Sequence, residues 1–289
     1  MLDSPKTLPR VRFRQITDAD VNDVVELLTR CFAPRRSRAF WQQVMAKLPA
    51  RATPAGMPRY GHMLEDAGRP VGVVLVLSAT TATGEVRGNP SSWCVEPAYR
   101  SYASMLISNA LSRKGVTYVN LTSLPHTRPI LLAQAYTCYA AGTFVAALPL
   151  MMAHRPWARM LPADAKPRAS FTSFERELVR EHAGYGCKAL WCETEERAYP
   201  FVFRLRRIKG IPCAQLIYCR EVEDCVRFAG PLSRHLMLRG CPFLLIDANG
   251  PVPGLVGKYF ADKMPRYFRG PQRPRLGDLA YSEIAMFGM

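Results

Sequence analysis

The chain has 289 residues, of which 48% are hydrophobic and 21% are charged, the composition of an ordinary globular protein that buries a sizeable core. Its length is about twice that of a common domain, so two domains are expected. The formal net charge of +16 is spread evenly over both halves, which excludes a basic tail. Such a balance favours anionic partners: a nucleotide cofactor, an acidic carrier protein, nucleic acid or a membrane surface.

The first half predicts alternating strands and helices. Apolar periods of two and 3.6 residues indicate, in chain order, a strand at 11–16, a helix capped by Thr17 and Asp18, a helix at 38–48, strands at 61–65, 71–78 and 91–95, a helix after Tyr99-Arg100-Ser101, a strand at 116–121, a helix at 128–136 and a strand at 142–151. The order requires at least one parallel crossover, from strand 91–95 through a helix to strand 116–121.

The second half begins after a segment without a clean period. Residues 153–172 contain several Pro and Arg and predict a linker. The expected elements that follow are a helix at 174–182, strands at 189–193, 200–208 and 213–219, a helix at 224–238, a strand at 243–247, a short helix near 255–263 and a final strand at 279–287. Its last part, with strands and helices in alternation, repeats the order of the second part of the first half.

The sequence contains nine cysteines, an odd number, and no two of them form a C-x-x-C pair. Most lie in apolar runs, as Cys213 does in IPCAQLIYC, which predicts buried, reduced thiols of a cytosolic protein. A metal site built from His182, Cys187 and Cys192 is the alternative, but its spacing matches no common zinc pattern. No metal is therefore expected.

Neither a secretion signal nor a membrane span is predicted. The N-terminus has no apolar segment of signal-peptide length. The longest apolar runs, 71–77 and 144–153, are shorter than the ~20 residues that cross a bilayer. We therefore expect a soluble, cytoplasmic protein that does not contact a membrane.

A break follows strand 91–95 and predicts an anion site. Pro97 donates no backbone N–H and keeps Glu96 out of helical geometry, so the strand must end there. The first N–H groups of the helix beyond Arg100 lack partners within the helix. A strand that leads into an open helix N-terminus beside an arginine is suited to phosphate.

The order of elements and the residues Val95–Arg100, VEPAYR, resemble the GNAT superfamily of N-acyltransferases over roughly residues 10–152. The ending Gln134-Ala135-Tyr136 is similar to that of the superfamily's penultimate helix. The resemblance implies an α/β fold with a mixed sheet, of the acyl-CoA N-acyltransferase type, in two tandem domains. These would be a GNAT-like domain at 1–152, the linker at 153–172, and at 173–289 a degenerate GNAT-like domain or an unrelated α+β domain.

The same resemblance implies that acetyl-CoA or another acyl-CoA binds where strands 91–96 and 116–121 splay apart. The pantetheine arm would pair with the backbone near Cys94 and Val95, and the pyrophosphate would bind the N–H groups that follow Arg100. The corresponding residues are Ser101, Tyr102, Ala103, Ser104, Met105 and Leu106. Ala103 and Met105 replace glycines of the family pattern, and the second half has no such turn and is assigned no cofactor site.

Two residues are candidates for proton transfer. Glu96 lies at the mouth of the splayed strands, and its alternative is a solvated turn carboxylate. His126 lies in the loop after strand 116–121, and its alternative is a histidine that packs that loop. The family's usual tyrosine and asparagine are replaced by Leu131 and Leu124, for which the phenols of Tyr102, Tyr136 and Tyr139 are possible substitutes.

We therefore expect an acyltransferase that moves an acyl group, foremost acetyl, from acyl-CoA or an acidic acyl-carrier protein to an amine of an unknown acceptor. The substrate would be a small molecule or a carrier protein. A non-catalytic acyl-CoA-binding or scaffold protein with the same fold is the alternative. Nucleic acid is suggested by the net charge alone and is not expected as a partner.

Overall fold

The computed structural model describes residues 11–153 and 158–288. Its backbone contacts separate two compact units, one that ends at Tyr118 and one that begins at Val119. The sequence predicted a division at residue 152 instead. The difference arises because the strand at Thr137–Ala147 hydrogen-bonds to two strands of the C-terminal half, those at Phe243–Ala248 and Gly257–Arg269.

From residue 11 onwards, where the structure describes it, the first unit is a mixed sheet with three α-helices. Its elements are β1 (Arg12–Gln15), a 3-10 turn (Asp18–Asp20), α1 (Val21–Phe32), α2 (Arg38–Lys47), β2 (Gly61–Asp66), β3 (Arg69–Thr80), β4 (Val86–Val95), a 3-10 turn (Pro97–Tyr102), α3 (Ala103–Ala110) and β5 (Thr117–Asn120). Strands β1 to β4 pair in sequence order, all antiparallel, and β5 is parallel to β4. The predicted parallel crossover is therefore confirmed.

Hydrogen bonds to side chains cap the starts of the first helical segments. The carboxylate of Asp20 accepts hydrogen bonds from the backbone N–H and the hydroxyl of Thr17, and the Ser37 hydroxyl accepts one from the N–H of Phe40. Helix α1 then buries Val24, Val25, Leu27 and Leu28. Strand β3 is buried along almost its whole length, as its apolar run predicted.

The second unit contains the rest of β5 and a sheet with helices on both faces. The further elements are a 3-10 turn (Pro125–Thr127), α4 (Arg128–Ala133), β6 (Thr137–Ala147), a 3-10 turn (Leu148–Met151), β7 (Arg159–Pro162), α5 (Ser173–Gly184), β8 (Lys188–Glu193), β9 (Ala198–Ile208), β10 (Ile211–Tyr218), α6 (Val222–Arg227), α7 (Ala229–Met237), β11 (Phe243–Ala248), β12 (Gly257–Arg269) and α8 (Glu283–Phe287). The predicted linker at 153–172 therefore includes a strand, β7, which pairs with β8.

Pairing in the second unit follows the pattern of the first. Strands β7 to β10 are joined in sequence order by antiparallel pairing, and β10 is parallel to β11. Strand β6 then pairs antiparallel with both β11 and β12. The alternating side chains of β9 separate two cores: Phe201 and Phe203 pack with residues of α6 and α7, and Val202 packs with residues of α5 and α8.

Three predicted elements of the second half differ from the structure. The expected helix near 255–263 is part of strand β12, where Gly257 lies so close to β6 that an added Cβ would be 2.2 Å from the carbonyl oxygen of Val145. The expected strand at 279–287 ends in helix α8, whose start is capped by the hydroxyl of Ser282. The expected helix at 224–238 is divided at Phe228 into α6 and α7.

Two cysteines also differ from expectation. Cys31 on α1 and Cys94 on β4 form a disulfide with a Cα–Cα distance of 6.3 Å, so the prediction of nine reduced thiols is wrong for this pair. The sequence could not show it, because the two residues are 63 positions apart and meet only when α1 packs against the sheet. Among the described residues, no helix is both long and apolar enough to cross a membrane.

Candidate active site

Strand β4 is distorted before it ends. Val73 pairs with Cys94 and Leu75 pairs with Ser91, so β4 places two residues opposite the single residue Val74 of β3. This is a β-bulge, and Ser92 within it has a positive φ of 54°. A bulge bends its strand, and here it lies directly before the segment that the sequence assigned to acyl-CoA.

Strand β5 is the parallel neighbour of β4, and it pairs with the first residues of β4. Arg87 and Gly88 pair with Thr117 and Tyr118 of β5, and β4 then continues beyond them to Val95. Gly88 allows this approach, because an added Cβ would lie 2.9 Å from the Tyr118 ring. The paired part of β4 is therefore distinct from the bulged part that leads to the turn.

Helix α3 begins without an acidic residue. The 3-10 turn at Pro97–Tyr102 leads straight into it, and neither a side-chain cap nor an acidic side chain occurs at its first turn. Leu106, Ile107 and Ala110 are buried, whereas Ser101 and Ser104 are exposed. The N–H of Ala103 already donates to the carbonyl oxygen of Arg100, so this helix start differs from the open one that the sequence predicted and favours an anion mainly through the helix dipole.

The nine predicted cofactor residues fall into two short stretches that the turn joins. Cys94 and Val95 end β4, and the other seven form the turn and the start of α3: Arg100, Ser101, Tyr102, Ala103, Ser104, Met105 and Leu106. Leu106 has its side chain in the core, and as the fourth residue of α3 its N–H belongs to the hydrogen bonds of the helix, so it is not suited to a ligand. Met105 does not turn into the core, since 37% of it is exposed.

Glu96 is held by two arginines. Its carboxylate accepts hydrogen bonds from Arg69 at 2.9 and 3.0 Å and from Arg30 at 2.9 Å, and its backbone N–H donates to the carbonyl oxygen of Val71. Burial acts to raise the pKa of Glu96, but the hydrogen bonds from Arg69 and Arg30 outweigh it and lower the pKa. A carboxylate held in this way is a weak base near neutral pH.

Sequence reasoning missed the contacts that hold this turn. Besides the two arginine partners of Glu96, the hydroxyl of Tyr99 donates a hydrogen bond of 2.6 Å to Asp66 at the end of β2. That bond raises the pKa of Tyr99. The tyrosine and the glutamate of the VEPAYR segment thus both fasten the turn to neighbouring elements, and no spacing in the sequence indicated their partners.

His126 lies in the second unit, in the 3-10 turn Pro125–Thr127 before α4, and its side chain is outside the described part of the structure. Tyr136 and Tyr139 are buried, as is Leu131, whereas Leu124 is exposed. Tyr102 is partly exposed in the first unit. The catalytic roles of Glu96 and His126 stay predictions.

The alternative metal site does not form. Both ring nitrogens of His182 have backbone partners, the carbonyl oxygen of Leu178 at 2.8 Å and the N–H of Tyr281 at 3.0 Å, and the thiol of Cys187 donates to the carbonyl oxygen of Ala285. Within 11–153 and 158–288, no three His, Cys, Asp or Glu residues are grouped so that they could hold a metal ion.

No protein-family model matches the sequence, and no curated protein sequence matches it either. Solved structures do match. One is a protein of Pyrococcus horikoshii whose proposed activity is acetyl transfer, with 13% identity, a TM-score of 0.55 and 96% of each chain covered. Another is a GCN5-related N-acetyltransferase from Kribbella flavida, with 14% identity, a TM-score of 0.56, and 90% of this chain and 71% of that chain covered.

A third match is a conserved protein of unknown function from Enterococcus faecalis V583, itself proposed to be an N-acyltransferase. It has 9% identity and a TM-score of 0.53, with 93% of this chain and 73% of that chain covered. At such identities the likeness establishes the fold alone, and it confirms the fold that the resemblance of the VEPAYR turn implied. The chain has the GNAT fold, that of the GCN5-related N-acetyltransferases.

Proposed function

We propose that the protein is an N-acyltransferase that moves an acyl group, foremost acetyl, from acyl-CoA to an amine. The observation that carries the proposal is the bulged end of β4 followed by a helix start that has an arginine and no acid. Within a GNAT fold, this is the place where a strand edge and a helix N-terminus can hold the two parts of coenzyme A, the pantetheine arm and the pyrophosphate.

The residues present fit that group. The backbone near Cys94 and Val95 would pair with the pantetheine arm, and the start of α3, where Ser101 and Ser104 are exposed, would bind the pyrophosphate, with Arg100 adding a positive charge. Ala103 adds only a methyl group. Met105 lies at the surface of α3 rather than in the core, so its flexible side chain can move aside.

The thioester of bound acyl-CoA would supply the activated acyl group. The chain would contribute mainly orientation, because a fixed turn and helix start hold one reactant relative to the other. The ion pairs of Glu96 with Arg30 and Arg69 favour a structural role for this carboxylate over that of a base. His126 is therefore our remaining candidate for the proton transfer.

The acceptor is proposed only as an amine, and an acidic acyl-carrier protein is the alternative to acyl-CoA as the acyl donor. The carrier is supported by the net charge of +16, which would attract an acidic partner at low ionic strength. A cytoplasmic location stays a prediction, and the disulfide between Cys31 and Cys94 argues against it, since cytosolic thiols are kept reduced.

The test is a calorimetric titration with acetyl-CoA and longer acyl-CoAs, followed by an assay of thiol release with a panel of amines. We expect saturable binding and release of free coenzyme A that depends on the amine. Binding of no acyl-CoA would refute the proposal. Binding without transfer to any amine would favour the alternative of a non-catalytic acyl-CoA-binding protein.

A further inference from the structure

One edge of strand β10 in the second unit is covered by the chain itself. The N–H of Cys219 donates to the carbonyl oxygen of Gly277 at 2.9 Å, and the N–H of Leu279 donates to that of Ile217 at 2.7 Å. Between them, Tyr218 forms an antiparallel bridge with Asp278. Residues 277–279 thus form an isolated antiparallel bridge to the end of β10, and we call them the covering segment.

The covering segment lies on the β11 side of β10. The other edge of β10 is taken, because β10 pairs with β9 as far as Tyr218 and Val202. On the β11 side, the parallel pairing covers Cys213–Gln215 and Phe243–Leu245. The covering segment therefore continues along the edge that β11 leaves.

The edge of β10 corresponds in topology to the edge of β4. Each of the two strands is the fourth in an antiparallel series, each is followed by a helix and a parallel strand, and each is irregular near its end, at Ser92 in β4 and at Ile217 in β10. We infer that β10 is the counterpart of the acyl-CoA-binding strand and that the covering segment occupies its binding edge. The chain then binds one acyl-CoA, in the first unit only; this rests on the proposed function.

The helix after β10 is also unsuited to a pyrophosphate. The arginine of this connection, Arg220, is partly buried and forms an ion pair with the buried Glu175 of α5, at 2.7 Å between Nη2 and Oε2. Helix α6 carries Glu223 and Asp224 in its first turn, where α3 has no acid. Carboxylates at that end take the place of an anionic ligand and repel one.

Gly277 allows the covering segment to reach β10. Its φ is 75°, and an added Cβ would lie 2.7 Å from Sγ of Cys219. Gly210, in the turn between β9 and β10, has a φ of 81° and no heavy atom within 4 Å of an added Cβ. Gly210→Ala therefore has the same backbone strain as Gly277→Ala without the clash, and it is the matched control.

The experiment combines calorimetry with acetyl-CoA and hydrogen exchange of the full chain. We expect one acetyl-CoA per chain and no effect of acetyl-CoA on the slowly exchanging amides of Cys219 and Leu279. Gly277→Ala should speed these two amides by about tenfold relative to Gly210→Ala, as the loss of a hydrogen-bonded contact predicts.

Two acetyl-CoA molecules per chain, or an effect of acetyl-CoA on these amides, would overturn the inference and leave the proposed function standing. If no acetyl-CoA binds, the proposed function fails and the exchange data decide whether the edge is covered. Slow exchange in the wild type with the expected difference between the variants supports the covering segment. Fast exchange in the wild type, or equal rates in the two variants, refutes it.

Discussion

One guanidinium nitrogen of Arg69 lies 2.9 and 3.0 Å from the two carboxylate oxygens of Glu96, at the point where β4 ends. Arg30 of α1 adds a third contact at 2.9 Å. The glutamate that the sequence offered as a base is thus an anchor between β3, β4 and α1. This relationship changes what a substitution at Glu96 is expected to do.

Glu96→Gln should leave acyl transfer within about tenfold of the wild type, whereas the loss of a general base costs roughly 10²–10⁴-fold. The free energy of unfolding should fall by about 0.2–1 kcal/mol, because both arginines are largely exposed and the ion pairs are screened by solvent. Steady-state kinetics and urea unfolding check the two effects. A fall in kcat of a hundredfold or more, with the fold intact, would restore Glu96 as the base.

Arg100→Ala should weaken acetyl-CoA binding by about tenfold at low salt, since a hydrogen bond to a charged group contributes roughly 1.5–3 kcal/mol. Lys114→Ala removes the same charge beyond the other end of α3 and is the control. Calorimetry at two salt concentrations should show the difference between the variants shrink as salt rises. Equal affinities of the two variants would place the pyrophosphate elsewhere.

Reduction of the disulfide between Cys31 and Cys94 should lower the free energy of unfolding by roughly 2–4 kcal/mol, because it frees a long loop of the unfolded chain. Urea unfolding with and without a thiol reductant measures the effect. Cys31→Ser should match the reduced protein and show no response to reductant. If the reductant still lowered the free energy of unfolding of Cys31→Ser, its effect would come from another site.

His182 should make the protein less stable in acid. Burial lowers its pKa to about 4, and its Nε2 accepts a hydrogen bond from the N–H of Tyr281, which protonation would break. The unfolded chain takes up this proton below pH ~6.5 and the folded chain only near pH 4, so stability is lost as the pH falls through this window, by roughly 3 kcal/mol.

The measurement is the free energy of unfolding of the wild type and of His182→Gln between pH 7 and pH 4. The variant should be less stable at pH 7 and should lose less stability on acidification. Burial also lowers the pKa of His62 and His235 to about 4. Both histidines are present in the wild type and in the variant, so their contributions to the loss of stability cancel in the comparison. Parallel curves for the two proteins would contradict the role of His182.

The strand–turn–helix of the candidate site could be predicted because its signals are local. Pro97 ends the strand without reference to distant residues, and of the apolar residues that indicated the helix, Leu106, Ala110 and Leu111 are buried, whereas Met105 is exposed. The order of elements in the first half follows from the same kind of pattern. These properties depend on residues within a few positions of one another, which the sequence contains directly.

Only the tertiary structure showed which residues that are distant in the sequence contact each other. It joined Cys31 to Cys94, made strand β12 from a segment expected to be helical, and buried Arg266 against Asp247, 2.8 Å apart. Contacts of this kind depend on which elements pack together, and the spacing of apolar residues in the sequence does not indicate them. The sequence by itself therefore determined where the strand–turn–helix of the candidate site lies, whereas only the packing showed that Glu96 is held by arginines and that the edge of β10 is covered.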